Sequence, residues 1–216
     1  MEIIDLGSKN SLIGNIMLQL RDVSVQNNKS IFRANIEKLG QIIAYEISKT
    51  LNFEEKEIIT PLGSKTMSVI SSKIVVASIM RAGLPLHNGL LSYFTEAESI
   101  FIAAYRQYSS ETNFDIQTDY ISGPEVNGKI LLLADPMLAT AASIVKTYHQ
   151  LSQKSKPLYT HIVSVISAQQ GLDNLIKNLA DEDITVWTCA VDAELNRHGY
   201  IVPGLGDAGD LAFGAK

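Results

Sequence analysis

Cysteine is almost missing from this chain of 216 residues: Cys189 is the only one. An intramolecular disulfide and any multi-cysteine zinc site are therefore excluded. Cys189 follows the apolar Thr185–Trp187 segment and reads as an inert buried thiol. Histidine is scarce too. His87, His149, His161 and His198 are scattered, and no two have metal-ligand spacing or complete a Ser–His–Asp pattern. Basic residues are outnumbered, 18 Lys and Arg against 23 Asp and Glu, so the net charge is −5. No global field favours nucleic acid. No apolar run approaches the length of a membrane span. The first residues, Met1-Glu2-Ile3-Ile4-Asp5, lack the basic start and cleavage site of a signal peptide. A soluble cytoplasmic protein is the expectation. What is left is ordinary globular composition, 46% hydrophobic and 19% charged, on a chain long enough for one well-cored domain.

The segment Lys129–Ser143 carries the strongest local signal. Its first half is an unbroken apolar run, as a parallel strand buried on both faces requires. Asp135 ends the run and Pro136 should stop further ladder bonding. Thr140-Ala141-Ala142-Ser143 then leads into a helical pattern reaching about Leu151. A strand, a carboxylate and a small-residue loop opening into a helix outline a phosphate site. Free backbone N–H groups and the positive dipole end lie there. An ordinary strand–helix turn with Thr140 as N-cap fits the spacing equally well.

Other elements follow from periodicity. Two amphipathic helices, residues 10–21 and a second capped by Asn28 or Ser30 and reaching Leu51, precede the first expected strand. Residues 53–73 suggest short strands around a Pro61-Leu62-Gly63-Ser64 turn. Lys73–Met80 reads as a central strand, with Arg81 at its carboxyl end, where open α/β sheets bind ligands. Ser99–Ala104 is another strand, closed by Tyr105-Arg106. Residues 107–128 read as a protruding β-arm, as compatible with a variable surface hairpin as with a flap or dimer arm. Strands over Leu158–Ser167 and Ile184–Val191 flank a helix over Gln169–Leu179, and Asp181-Glu182-Asp183 reads as a solvated turn. Strands alternating with helices predict an α/β fold with a parallel sheet and right-handed crossovers. The tail, Leu195–Asp210, is rich in glycine. Its apolar residues Tyr200, Ile201, Val202 and Pro203, with Phe213 beyond, argue against a loose end.

Four of these stretches resemble one family. Asp135-Pro136-Met137-Leu138-Ala139-Thr140 is similar to the loop with which uracil phosphoribosyltransferases bind 5-phospho-α-D-ribose 1-diphosphate (PRPP). Ile79-Met80-Arg81-Ala82-Gly83-Leu84 and the Tyr105-Arg106 pair resemble two further signatures, and Leu195–Asp210 resembles the family's C-terminal signature. The family follows the loop Thr with two glycines and a Ser; here Ala141 and Ala142 precede the matching Ser143. The acidic run that the family carries after Tyr-Arg is replaced by residues 107–114.

The resemblance implies a type I phosphoribosyltransferase fold over residues 1–216. It comprises an N-terminal helical unit (1–52), the β-arm (107–128) and a uracil-binding hood (192–216). It implies conversion of uracil and PRPP to UMP and diphosphate in pyrimidine salvage, with Mg²⁺ carried on PRPP and no direct metal ligand. Implied PRPP contacts are Arg81, Arg106, Asp135, Pro136, Met137, Leu138, Ala139, Thr140, Ala141, Ala142, Ser143 and Asp207. Implied uracil contacts are Ile201, Gly206, Asp207 and Ala208; Asp207, Arg106 and Asp135 would carry the catalysis, and His198 stands beside the base loop. GTP as activator and a homodimer or higher homo-oligomer also belong to the family picture. A non-catalytic pyrimidine or PRPP sensor on the same fold is the alternative. Because alanine favours helix over glycine by about 1 kcal/mol, both alanines are expected in the right-handed helical region with their methyl groups turned from the ligand.

Overall fold

A computed structural model describes residues 1–108 and 114–215, with side chains described outside residues 104–119. In chain order the elements are β1 (Glu2–Asp5), α1 (Leu12–Arg21), α2 (Lys29–Ser48), β2 (Phe53–Thr60), β3 (Gly63–Ile70), β4 (Ile74–Met80) and α3 (Gly83–Leu91). There follow β5 (Glu98–Tyr108), β6 (Phe114–Ser122), β7 (Ile130–Ala134), β8 (Met137–Leu138), α4 (Ala142–Lys154), β9 (Tyr159–Val163), β10 (Ile166–Ala168) and α5 (Gln169–Asn178). The chain closes with β11 (Ile184–Thr188), β12 (Val191–Asp192), β13 (Glu194–Leu195), β14 (Ile201–Val202) and α6 (Ala208–Phe213).

The central sheet has the order β1-β11-β9-β7-β4-β5-β6. Every neighbouring pair is parallel except β5 with β6. Alternate strand residues face opposite sides, and both sides are apolar. Val76, Leu132, Val163 and Trp187 bury with α1, α2 and α3. Val75, Ala77, Leu131, Leu133 and Ile162 bury with α4 and α5 on the other face. The expected α/β class, with a parallel sheet flanked by helices, is what the chain adopts. The hairpin at residues 53–70 also forms, β2 pairing antiparallel with β3. Asn28, rather than Ser30, caps α2 by accepting from the N–H groups of Ser30 and Ile31.

Several expectations need correction. The first strand is Glu2–Asp5, ahead of both helices, paired with β11 at the sheet edge. The β5 strand runs through Arg106 to Tyr108 rather than closing at Tyr105. Phe114–Ser122 of the expected arm is an edge strand of the main sheet; its tip, 109–113, lies outside the described residues. Glu182 is no idle member of a solvated turn, since it accepts from the Tyr148 hydroxyl at 2.8 Å and pairs with Lys156 at 3.0 Å.

Pro136 does not end ladder formation either. After β7, β9 and β11 the chain breaks for two residues and resumes as β8, β10 and β12, a second parallel sheet in the matching order. A polar side chain bridges each break. Asp135 Oδ1 accepts from the Met137 N–H at 3.3 Å, Ser164 Oγ donates to the Ile166 carbonyl at 3.0 Å, and Thr188 Oγ1 donates to the Ala190 carbonyl at 3.0 Å. The Pro136 carbonyl accepts from both Val165 and Ile166, so proline costs this ladder only the donor it lacks. The small sheet lifts the loops above the carboxyl edge of the main one.

Two histidines are core residues. His87 lies between Ser78 (2.7 Å) and Ser99 (3.0 Å), and burial lowers its pKa. His161 Nδ1 accepts from the Trp187 indole at 3.0 Å, and burial holds its pKa at about 4 against an ordinary 6.5. Between those values the unfolded chain takes up a proton that the folded chain refuses. Stability should therefore fall as pH drops from 6.5 towards 4, by roughly 3 kcal/mol for His161 alone. An NMR titration should give His161 a midpoint near 4; a midpoint near 6.5 would contradict its buried neutral state. Cys189 is buried as expected, which pushes its thiol pKa up to about 12.

Candidate active site

The strand order reverses between β4 and β7. From β4 the chain moves by α3 to β5 on one side; from β7 it moves by α4 to β9 and by α5 to β11 on the other. The carboxyl ends of strands at such a switch leave a crevice that no connection covers. Arg81 follows the last residue of β4 and Asp135 the last residue of β7. Both line a cleft of about 770 Å³ there.

The loop after β7 supplies most of one wall, through Met137, Ala139, Thr140, Ala141, Ala142 and Ser143. Pro136 and Leu138 are not part of the lining; Leu138 is buried in the core under α4 and α5. Asn174 of α5 braces the loop by donating to the Thr140 carbonyl at 3.2 Å. The helix α4 starts at Ala142, so its first N–H groups have no partner within the helix and stand at the cleft.

The right-handed geometry expected of Ala141 is wrong. Ala141 caps α4 with φ 63° and ψ 1°, in the left-handed region, while Ala142 is helical as expected. Ala141 is the last residue of the turn between β8 and α4, and the turn takes the left-handed conformation there. Helix propensity cannot override that. The Ala141 side chain is buried in the same cluster as Leu138 and Ile144. The left-handed conformation costs an alanine about 1–2 kcal/mol, of which glycine's greater chain entropy would forfeit roughly half. Ala141→Gly is thus expected to stabilise the fold by about 0.5–1 kcal/mol, whereas Ala142→Gly should lose up to about 1 kcal/mol. Urea unfolding of the two variants reads the difference, and equal shifts would contradict it.

Arg81 is held from the opposite wall. Its guanidinium donates to Asp210 Oδ1 at 3.1 Å and to the Gly214 carbonyl at 3.2 Å. Asp207 caps α6 by accepting from the Asp210 N–H at 3.0 Å. Asp207, Ala208, Gly209 and Asp210 line the cleft with Gly199 and Tyr200. The tail is therefore a docked element. Leu205, Ala208 and Ala212 are buried against the helical face of the core, and Arg33 donates to the Ala212 carbonyl at 2.6 Å. Ile201 and Gly206 do not line the cleft. Ile201 is buried behind it in β14, and Gly206 turns the loop at φ 92°. Arg106 lies in β5 opposite Ile116, and its side chain is outside the described residues. His198 donates its backbone N–H to Asn196 Oδ1 at 2.9 Å and does not line the cleft.

Asp210 is the charged site residue that the residue-type reading passed over, beside Gly199, Tyr200 and Gly209 of the lining. It lies in the glycine-rich signature, but its partner Arg81 is 129 positions away, and no local pattern joins them.

The family model described as uracil phosphoribosyltransferase matches residues 7–215. The chain belongs to the uracil phosphoribosyltransferase family. A uracil phosphoribosyltransferase of Porphyromonas gingivalis is 45% identical over 216 residues, covering all of both chains. One of Methanothermobacter thermautotrophicus is 43% identical over 185 residues, 85% of this chain and 83% of the relative. Among solved structures, the AQ2163 protein from Aquifex aeolicus is similar with a TM-score of 0.88 at 31% identity, covering 98% of each chain. Membership of the uracil phosphoribosyltransferase family makes this chain a phosphoribosyltransferase enzyme, and the non-catalytic alternative gains no support. Among the described residues no helix is long and apolar enough to cross a membrane.

Proposed function

We propose that the cleft transfers the phosphoribosyl group of PRPP to uracil, forming UMP and diphosphate. The observation that carries this is the convergence of Arg81, the loop Asp135–Ser143 and the docked segment Asp207–Asp210 on one crevice. The first N–H groups of α4, with the Thr140 and Ser143 hydroxyls, would cradle the 5′-phosphate. Asp135 would hold the ribose hydroxyls. As diphosphate leaves, the anomeric carbon gains oxocarbenium character. Arg81 and Arg106 would then neutralise the charge on the leaving group, since guanidinium groups bond phosphate oxygens in pairs and keep their charge. Catalysis would rest on positioning and electrostatics, with no covalent enzyme intermediate.

The donor set fits a metal that enters with its substrate. Asp135 and Asp207 line the cleft, and carboxylates of this kind accept a Mg²⁺ ion or its bound water. Mg²⁺ bound by PRPP would supply further charge neutralisation. GTP activation, a cytoplasmic location and a homodimeric or larger assembly are part of the same proposal and rest on the family resemblance.

The backbone of Ile201–Ala208 would read the base. Uracil presents an acceptor–donor–acceptor edge, and cytosine replaces one acceptor by a donor. A buried mismatch of this kind costs a few kcal/mol, so uracil should be preferred over cytosine by at least about 100-fold in kcat/KM. Comparable turnover of the two bases would refute the assigned pocket.

A further inference from the structure

The segment assigned to the base is tied to the opposite end of the chain by one part-buried ion pair. Arg21, the last residue of α1, donates from Nη1 to Asp192 Oδ2 at 2.7 Å and from Nη2 to Asp192 Oδ1 at 2.8 Å. Asp192 ends β12 and is 8% exposed. The pair does not stop at itself. Asp192 Oδ2 also accepts from the Gly204 N–H at 2.8 Å, and Arg21 Nη1 also donates to the Gly204 carbonyl at 3.0 Å. Both peptide groups flanking Gly204 are therefore gripped, one by each partner. A donor and an acceptor on adjacent peptides, held by a two-point Arg–carboxylate fork, fix the rotation of each peptide plane. Gln26 lies beside the pair. Its amide donates to the Arg21 carbonyl at 2.9 Å, and its oxygen lies 3.9 Å from where a Cβ on Gly206 would stand.

We infer that Arg21 and Asp192 are positioning residues for base specificity. By clasping Gly204 they set the backbone of Ile201–Ala208 in the orientation that matches a pyrimidine with an acceptor–donor–acceptor edge. The inference rests on the proposed base site. It makes α1, which contributes nothing to the cleft lining, a part of base recognition. Neither residue touches the base; both act through Gly204.

The test is steady-state kinetics on the full chain with uracil, PRPP and Mg²⁺, for Asp192→Asn and Arg21→Gln beside the unchanged protein. The inference predicts a uracil KM raised about tenfold or more, with kcat and the PRPP KM within about threefold, and a reduced preference for uracil over cytosine. Should Asp192→Asn not fold, Arg21→Lys, which keeps the charge but loses the fork, carries the same prediction. Unchanged uracil KM in the folded variants would overturn the inference. So would a loss of kcat and thermal stability with no selective effect on uracil, the outcome of a structural role alone. Failure of the unchanged protein to use uracil would instead overturn the proposed reaction, so the two failures are distinguishable.

Discussion

Arg81→Ala is expected to lower kcat/KM for PRPP by about 10- to 150-fold, the equivalent of losing a charge-assisted phosphate contact of about 1.5–3 kcal/mol. Arg81 sits just beyond β4 and takes no part in the buried core, so the fold should survive. Its two contacts, to Asp210 and the Gly214 carbonyl, join the β4 end to the tail across the cleft mouth. In that arrangement the guanidinium is already aimed into the site and needs only to exchange Asp210 for substrate oxygens. Steady-state kinetics at saturating uracil, with thermal unfolding as control, measure the effect. PRPP kinetics unchanged in a folded variant would remove Arg81 from the site. Arg81→Lys should recover only part of the loss, because an ammonium group cannot bond two oxygens in one plane.

Gly204→Ala should have an effect of similar size on the other substrate. Gly204 adopts φ 62°, and a Cβ there would stand 2.1 Å from the Ile201 carbonyl oxygen. The obstruction is backbone and cannot swing aside. The left-handed conformation alone costs an alanine about 1–2 kcal/mol. Relief of the contact would also pull Gly204 off Asp192 and Arg21. The expected result is a fall in kcat/KM for uracil of about 100-fold or more, with stability reduced by on the order of 2 kcal/mol. The PRPP KM, which rests mainly on the loop Asp135–Ser143 of the other wall, should change less than the uracil KM. Uracil use within threefold of the unchanged protein would show that the hood does not depend on this turn.

The parts of this fold that were legible in the sequence are those set by local pattern. Short apolar runs such as Ile130–Ala134 and Ile74–Met80, bounded by Lys and by a breaking residue, read as buried strands, and the carboxylate or guanidinium that ends each run marks the sheet edge where ligands bind. The strand β1 escaped because Glu2-Ile3-Ile4-Asp5 holds two apolar residues between charges, too little for periodicity to register. The run Leu158–Ser167 reads as one strand because the break at Ser164 is made by a buried hydroxyl bond, which leaves no gap in hydropathy. Ala141 escaped for a different reason. Propensity describes what a residue prefers, and its backbone here is dictated by the turn between β8 and α4. The clasp of Arg21, Asp192 and Gly204 spans 171 and 183 positions. Each residue alone is an unremarked polar or small residue, and only the folded chain brings them together.

The account's central claim is catalytic use of uracil and PRPP, and diphosphate release measures it most directly. The purified chain, given PRPP, Mg²⁺ and uracil, should release diphosphate and form UMP in equal amounts, with diphosphate release at least about 100-fold slower when uracil is replaced by cytosine. Binding of both substrates without release of diphosphate would contradict the account and leave a fold that senses these ligands without joining them.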